Sequence, residues 1–418
     1  MTENDLPAEA IADPKTFTDQ AALHGLLARL RRSDPLAVVQ AEDHDPIRLI
    51  TRHADIMAIE RDAARFINAP RQAHFSNAQM EASRAAAGGV DVQKFMRNLV
   101  AMDGPDHLAY RDITQGYFTP KGLEGLRGEI ERLAAEFVGR MADHVTDGRG
   151  ECDFAQVALA YPLRVIMTML GIPVEDEPLM LRLTQQTLTS QDPEFQAQGG
   201  SSMGAMMEMY MYFQAMIADR RAKPRGDLGS IIANARVGGE LLPEADVFGY
   251  FLIVATAGHD TTSYAITGGL LALLENPGEM AKLRADPALM PTAVEEIIRW
   301  TTSVRHFCRT ATEDCTFEGT AIKEGDLLLL SYPSANRDDA VFDDPDVFRI
   351  DRRPNRQLAF GTGPHVCLGQ YLARLELSLF LRELLARVED IELAGTPRYV
   401  EGTFVGGVKY LPVRYKMR

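Results

Sequence analysis

The 418-residue chain has little of what marks a secreted, membrane-spanning or nucleic-acid-binding protein. It holds four cysteines, Cys152, Cys308, Cys315 and Cys367, too few for a disulfide framework at this length, and none form a Cys-x-x-Cys pair. Zinc-ribbon and thioredoxin-type sites are thereby excluded, and free thiols point to a reducing cytoplasm. No run of eighteen apolar residues occurs, so no transmembrane helix is expected. Residues 1–19 are polar and acidic and lack the cationic-then-apolar pattern of a signal peptide. They read as a flexible lead-in to one unit over 20–418. Positive charge is scarce: 44 Lys and Arg face 59 Asp and Glu, a net charge of −15. That balance argues against nucleic acid or an anionic membrane as a partner. Internal repeats, low-complexity tracts and a clear linker are missing as well. With 46% hydrophobic and 25% charged residues, the composition suits a globular protein with a sizeable core.

What is present centres on Phe360–Leu372, where three glycines and a proline crowd around Cys367. Leu368, Leu372, Leu375 and Leu379 then follow at helical spacing, so Cys367 lies where a tight loop hands over to a helix. Partial positive charge and unpaired N–H groups at a helix start favour a thiolate, the form that binds metal or acts as a nucleophile. The bland alternative is a small buried apolar residue. The Gly-x-Gly turn and the neighbouring His365 weigh against it.

The remaining chain reads as mostly helical. Gln20–Arg32, His53–Arg65, Lys121–Thr146, Asp153–Leu170, Glu177–Gln191 and Pro291–Trp300 have helical patterns. Leu36–Gln40 and Ile47–Thr51 read as a hairpin; Ser303–Thr310, Thr316–Phe317 and Asp326–Ser331, with its four leucines, read as strands. Gln72–Val90 lacks strong periodicity and includes a long loop, either a pocket wall or a solvated insertion. Asp103 or Pro105 starts a helix on which His107 and Arg111, four apart, share a face. They suit a carboxylate or phosphate, or else pair with Asp106 or Asp112. Met203–Ala218 carries a methionine stripe that is either core or an adaptable cover over an apolar ligand. Pro243–Asn276 spans about 50 Å if fully helical. It is apolar on nearly all sides from Val247 to Ala257, then interrupted by Gly258, His259, Asp260, Thr261 and Thr262. An acid beside hydroxyls in a buried helix is costly unless used, so a groove and a proton path are expected there. Glu296 and Arg299 share a helix face, which alone signals no more than a salt bridge.

Together these segments resemble the bacterial cytochrome P-450 family over nearly the whole chain. Phe360, Gly363, Cys367 and Gly369 meet its haem-ligand signature, Phe-x-x-Gly-x-x-x-Cys-x-Gly. Ala257, Gly258, Asp260, Thr261 and Thr262 meet its oxygen-activation signature, and Glu296 and Arg299 its Glu-x-x-Arg. Within the family, Glu151–Phe154, Ser331–Asp338 and Phe404–Gly407 are similar to the soluble terpineol-hydroxylating branch.

The resemblance implies a mainly α fold with small β-sheets and haem b between a long central helix and the cysteine loop. Cys367 is the implied axial thiolate. Asp260 and Thr261 match the positions that deliver protons to dioxygen. His107, Arg111, Arg309 and His365 match propionate-binding positions, and Glu296, Arg299 and Arg352 match an ion-pair cluster that retains the fold and the haem. Ile253, Thr256, Ala257, Val304, Phe307, Phe404 and Val405 match the walls of a pocket for a small hydrophobic substrate, a monoterpenoid or aromatic hydrocarbon. The loop 72–98 and the methionine-rich helix match its cover. The implied reaction inserts one oxygen atom of O2 into a C–H bond. No flavin or iron–sulfur motif is present, so electrons are expected from a [2Fe-2S] ferredoxin and its NADH- or NADPH-dependent reductase. Residues 349–382 hold six arginines against Asp351 and Glu376, a local balance of 6 − 2 = +4 that suits an acidic ferredoxin. The competing readings are a peroxide-dependent haem-thiolate peroxygenase, a haem-based gas sensor or carrier, and a haem-free cysteine nucleophile.

Overall fold

The computed structural model describes residues 6–74, 76–86, 97–188, 191–197 and 202–418. The helices that position the site are α1 (Gln20–Ser33), α2 (His53–Arg61), α3 (Gly104–Gln115), α4 (Arg127–Gly139), α5 (Phe154–Leu170), α6 (Glu177–Leu188), α7 (Ser202–Ala222), α8 (Glu244–Ala257), α9 (Asp260–Glu275), α10 (Met290–Thr301) and α11 (Gln370–Arg387). A five-stranded sheet contains β1 (Val38–Val39), β2 (Ile47–Ile50), β3 (Phe66–Ile67), β4 (His306–Ala311) and β5 (Leu327–Ser331), in the order β1-β2-β5-β4-β3. Among the described strands only β5 and β2 pair in parallel, Leu328 opposite Arg48. Chain segments 145–146, 149–153, 388–393 and 412–417 build a second, four-stranded sheet.

The four leucines of β5 explain how the sheet is held. Side chains alternate across a strand. Leu327 and Leu329 therefore enter a cluster with Leu23, Leu27 and Leu30 of α1. Leu328 and Leu330 enter another with Ile56 and Ile59 of α2, Phe66 and Leu358. Each buried leucine stabilises by about 1.5–3 kcal/mol. The first cluster also takes Ile11 and Phe17. From Leu6 onward the expected flexible lead-in is instead folded: Ala8–Ala12 and Pro14–Thr18 are 3-10 turns, and buried apolar side chains tie them to α1.

The Pro243–Asn276 segment is two helices, α8 and α9, separated at Gly258 and His259. Alpha9 packs closely on α10, because a Cβ on Gly269 would lie 2.7 Å from Ile297 and one on Gly268 2.8 Å from Thr301. The expected helix over 121–146 is divided into Pro120–Leu123, α4 and a 3-10 turn over Arg140–His144. Part of the expected loop at 72–90 is helical, Asn77–Ala86; residues 75 and 87–96 lie outside the described residues. Alpha7 divides its methionine stripe: Met209 and Phe213 are buried, Phe213 stacking on Phe251 of α8, whereas Met207, Tyr210 and Met211 are exposed.

Glu296 and Arg299 form no surface salt bridge; both are fully buried. Arg299 donates to both carboxylate oxygens at 2.8 and 2.7 Å, and to the carbonyls of Asn336 and Pro345. Arg352 donates to the same carboxylate at 3.1 Å, and the backbone N–H of Arg349 at 2.9 Å. Two guanidiniums thus fasten the irregular chain from 336 to 352 onto α10. Glu296→Gln leaves both cations without their counter-charge, and we expect a loss of about 3–5 kcal/mol in urea unfolding. A loss below about 1 kcal/mol would show the cluster to be dispensable.

Candidate active site

Residues 358–369 wind around Cys367 through backbone bonds. The N–H of Cys367 donates to Phe360 O at 2.8 Å, that of Gly361 to Leu358 O at 2.9 Å, and that of Val366 to Gly363 O at 3.2 Å. Gly361 and Gly363 adopt φ of +64° and +69°, the left-handed region that favours glycine. A Cβ on Gly363 would also meet the Glu60 carbonyl at 2.4 Å. Arg374 of α11 places its guanidinium 4.5 Å from the Phe360 ring centre and pairs with Glu295.

Glu60, which the sequence reading did not single out, joins this loop to the sheet. Its buried carboxylate accepts from Thr362 N at 2.9 Å, Tyr332 Oη at 2.7 Å and Arg309 at 3.1 Å. Burial raises the Glu60 carboxyl, and Arg309 is the first of the groups that pull it back. Arg309, expected as a propionate ligand, is charge-paired with Glu60 in this structure. Its other terminal nitrogen donates to Cys308 O at 2.9 Å. A signal for Glu60 did exist: it lies four residues after Ile56, on the buried stripe of α2.

The other three expected cationic groups come together. His107 and His365 stack with ring centres 3.9 Å apart, and Arg111 donates to Val366 O at 2.7 Å. His365 Nε2 lies 3.5 Å from Asp103. Burial, then the charges of His365 and Arg111, push the His107 imidazole down to about 4. Protonating this group is opposed by its own neighbours; an anionic ligand there would relieve that repulsion.

Cys367 is accessible to solvent although protein surrounds its loop. Burial among protein atoms raises its thiol, against the Gly369 backbone N–H and the charges of Arg111 and Arg374, which all favour thiolate. The helix-start expectation of groups that favour a thiolate holds at Gly369, with burial acting against them. A soft cation at the sulfur supplies what the protein's own dipoles do not. A sulfur needing a cation, beside two imidazoles and a guanidinium suited to carboxylates, fits an iron porphyrin with its propionates.

Across α8 and α9, accessibility again marks a working face. Ala257 is exposed, while Ile253, Gly258 and Thr261 are half-buried. The Thr261 hydroxyl donates to Ala257 O at 2.9 Å, spanning the helix break. Thr256 is buried, and its hydroxyl donates to Leu252 O at 2.8 Å, the usual back-bond of a threonine inside a helix. Asp260 is fully buried, and neither carboxylate oxygen accepts a hydrogen bond among the described residues. Burial raises its carboxyl and His259 partly lowers it. Val304 pairs with Val405 in an isolated bridge, and Phe307 meets Phe404 edge-on at 5.4 Å. These four expected wall residues are thus one apolar group.

An α-rich body with small sheets, a glycine-wound cysteine loop and a broken buried helix defines a haem-thiolate oxygenase. A cytochrome P450 family profile matches residues 76–394. The chain is 40% identical to "Cytochrome P450-terp" of Pseudomonas sp, covering 98% of this chain and 97% of the relative. It is 36% identical to steroid C26-monooxygenase of Mycobacterium tuberculosis, with 78% and 88% covered. Crystal structures of CYP108D1 from Novosphingobium aromaticivorans and of Mycobacterium marinum CYP268A2 in complex with pseudoionone superpose with TM-scores of 0.90 and 0.87. Their identities are 42% and 30%; the matches cover 99% of both chains for the first and 98% of both for the second. The chain belongs to the cytochrome P450 family, and it is a monooxygenase whose haem iron takes a cysteine thiolate as axial ligand.

Gly363→Ala sets a Cβ against the Glu60 carbonyl and forces a left-handed residue, so haem retention should fall with stability. We expect a loss of about 1–3 kcal/mol and a lower Soret-to-protein absorbance ratio. Full haem content at wild-type stability would contradict the packing of this loop on α2.

Proposed function

We propose that this P450 hydroxylates a small hydrophobic compound, a monoterpenoid or an aromatic hydrocarbon, with electrons from a [2Fe-2S] ferredoxin and its NAD(P)H-dependent reductase in the cytoplasm. The observation that carries the substrate class is the apolar group of Val304, Phe307, Phe404 and Val405, together with Ile253 and Ala257 on α8. Similarity over nearly full length to Cytochrome P450-terp and to the pseudoionone complex supports it.

When bound, haem supplies activation of dioxygen at an iron whose thiolate ligand favours O–O cleavage. The chain's residues do the rest. Cys367 is the sulfur ligand, steadied by the Gly369 N–H and the charges of Arg111 and Arg374. His107, Arg111 and His365 hold carboxylates, while Arg309 acts through its pair with Glu60. Asp260 carries the proton and the Thr261 hydroxyl, beside the accessible Ala257, passes it on. The apolar walls exclude water and orient the substrate by shape.

The electron-donor face is narrower than the charge count suggested. Arg352 is buried on Glu296, Arg374 is paired with Glu295, and Arg349 faces Asp351 at 3.8 Å. Glu376 is buried as well. Arg353 and Arg356 remain exposed ahead of the cysteine loop, and Arg356 shares a groove with Arg61, His53, Met57 and Val341. Reversal at Arg374 breaks an internal pair, so Arg356 is the better probe. Arg356→Glu should slow first-electron transfer from ferredoxin and flatten its salt dependence; an unaltered reduction rate removes this face from docking.

Cys367→His tests the ligand itself. Some haem should remain, the reduced carbon monoxide complex should lose its red-shifted Soret band, and hydroxylation should vanish. Hydroxylation surviving in this variant would remove Cys367 from the chemistry. On the intact protein, screening monoterpenoids and aromatic hydrocarbons for a substrate-induced Soret shift, followed by product analysis, tests the substrate class. If none shifts the band, that class is wrong.

A further inference from the structure

The family signature leaves the residue before Asp260 unspecified; here it is His259, fully buried at the break between α8 and α9. Both ring nitrogens have partners. Nε2 lies 2.9 Å from the Leu159 carbonyl on α5, and a carbonyl only accepts, so Nε2 carries hydrogen. Nδ1 lies 3.1 Å from Thr184 Oγ1 on α6. The hydrogen of that hydroxyl has the helix carbonyls of Met180 and Leu181 within reach, at 3.0 and 3.1 Å, which leaves its oxygen free to accept from Nδ1. With an acceptor at each nitrogen, the site has the partners that an imidazolium needs.

An imidazolium buried here would need a counter-charge. Asp260 stands in place to provide it, with Oδ1 3.2 Å from Nδ1. The contact has ion-pair distance without hydrogen-bond alignment, since an Nδ1–H would be directed at Thr184, and the carboxylate oxygens stay open to other donors. Tyr264, one turn further along α9, is the other titratable group facing Asp260; Arg305 and Asp192 act on it in turn.

We propose that His259 is the charge partner that lets the buried Asp260 act as a proton relay, ionised at rest and protonated only in passing, held in place by α5 and α6. It is a positioning residue, touching Asp260 and not the substrate, and the proposal rests on the reading of Asp260 as the proton-delivering acid. Alone at this depth, a carboxyl holds its proton too tightly to pass it on. The adjacent imidazolium stabilises the carboxylate left after transfer, so Asp260 can release a proton and take another. Because Thr184 lies on α6, the acid is also linked to that helix.

The test uses the haem-loaded enzyme with His259→Asn, which keeps an amide N–H near Thr184 but carries no charge. At neutral pH, infrared difference spectra should show the C=O stretch of a protonated carboxyl in H259N, missing from both wild type and the H259N/D260N double variant. Dioxygen-driven product formation should fall by about tenfold or more, less than the 10²–10⁴ that a positioned acid contributes in full. Turnover driven by hydrogen peroxide, which brings its own protons and electrons, should be unchanged. The proposal is overturned if H259N shows no such band, if wild type already shows the same band, or if both oxidants lose activity equally. Undiminished dioxygen-driven turnover in D260N would instead refute the role of Asp260, a separate result that the infrared band does not decide.

Discussion

The Glu296–Arg299–Arg352 cluster is the constraint on which the rest of the molecule depends. Between β5 and α11 the chain runs mostly without regular structure, and its backbone carbonyls cannot all find partners in a ladder or helix. Guanidinium groups solve this, because each offers five donors in a fixed fork. Arg299 and Arg352 spend theirs on one carboxylate and on the carbonyls of Asn336, Asp343, Asp344, Pro345 and Val347. Irregular chain is thereby given a single conformation, and Phe360–Cys367 is delivered to one place. Burying such charges adds little net stability compared with apolar packing, but removing one partner is costly, so the cluster specifies position more than it stabilises.

Glu60 and Arg309 repeat the device on the other side of the cysteine loop. There a carboxylate on α2 gathers a cation from β4, a phenol at Tyr332 and the Thr362 amide. The loop is thus held from two directions by buried carboxylates. Its own sequence contributes the glycines that let the backbone approach Glu60, and the sulfur is left as the group without a full set of partners.

Much of this was legible in the chain, for definable reasons. The cysteine loop announces itself because left-handed turns and close approaches demand glycine at fixed spacings. The four leucines of β5 announce a strand buried on both faces, and the glycine-acid-threonine run announces a broken helix. What could not be read are matters of partner. Glu60 and Arg309 are 249 residues apart, and nothing local states that they meet. Arg374 and Arg352 count as positive charge in a tally, yet Glu295 and Glu296 consume them. The lead-in is polar enough to look unanchored, and two apolar side chains, Ile11 and Phe17, suffice to fold it down.

The two faces of the site follow opposite electrostatic rules. Around Cys367 the protein supplies donors that favour a negative sulfur but not enough of them, since burial still prevails. The missing stabilisation is what a bound iron contributes, so affinity for the metal and thiolate formation are one event. Around Asp260 the opposite holds: an acid at full burial is given one adjacent imidazole, misaligned for a hydrogen bond. A well-made bond there would lock the carboxylate in its charged form; no cation would lock it as the neutral acid. The intermediate arrangement leaves the proton mobile, and the break in the buried helix is what makes room for it.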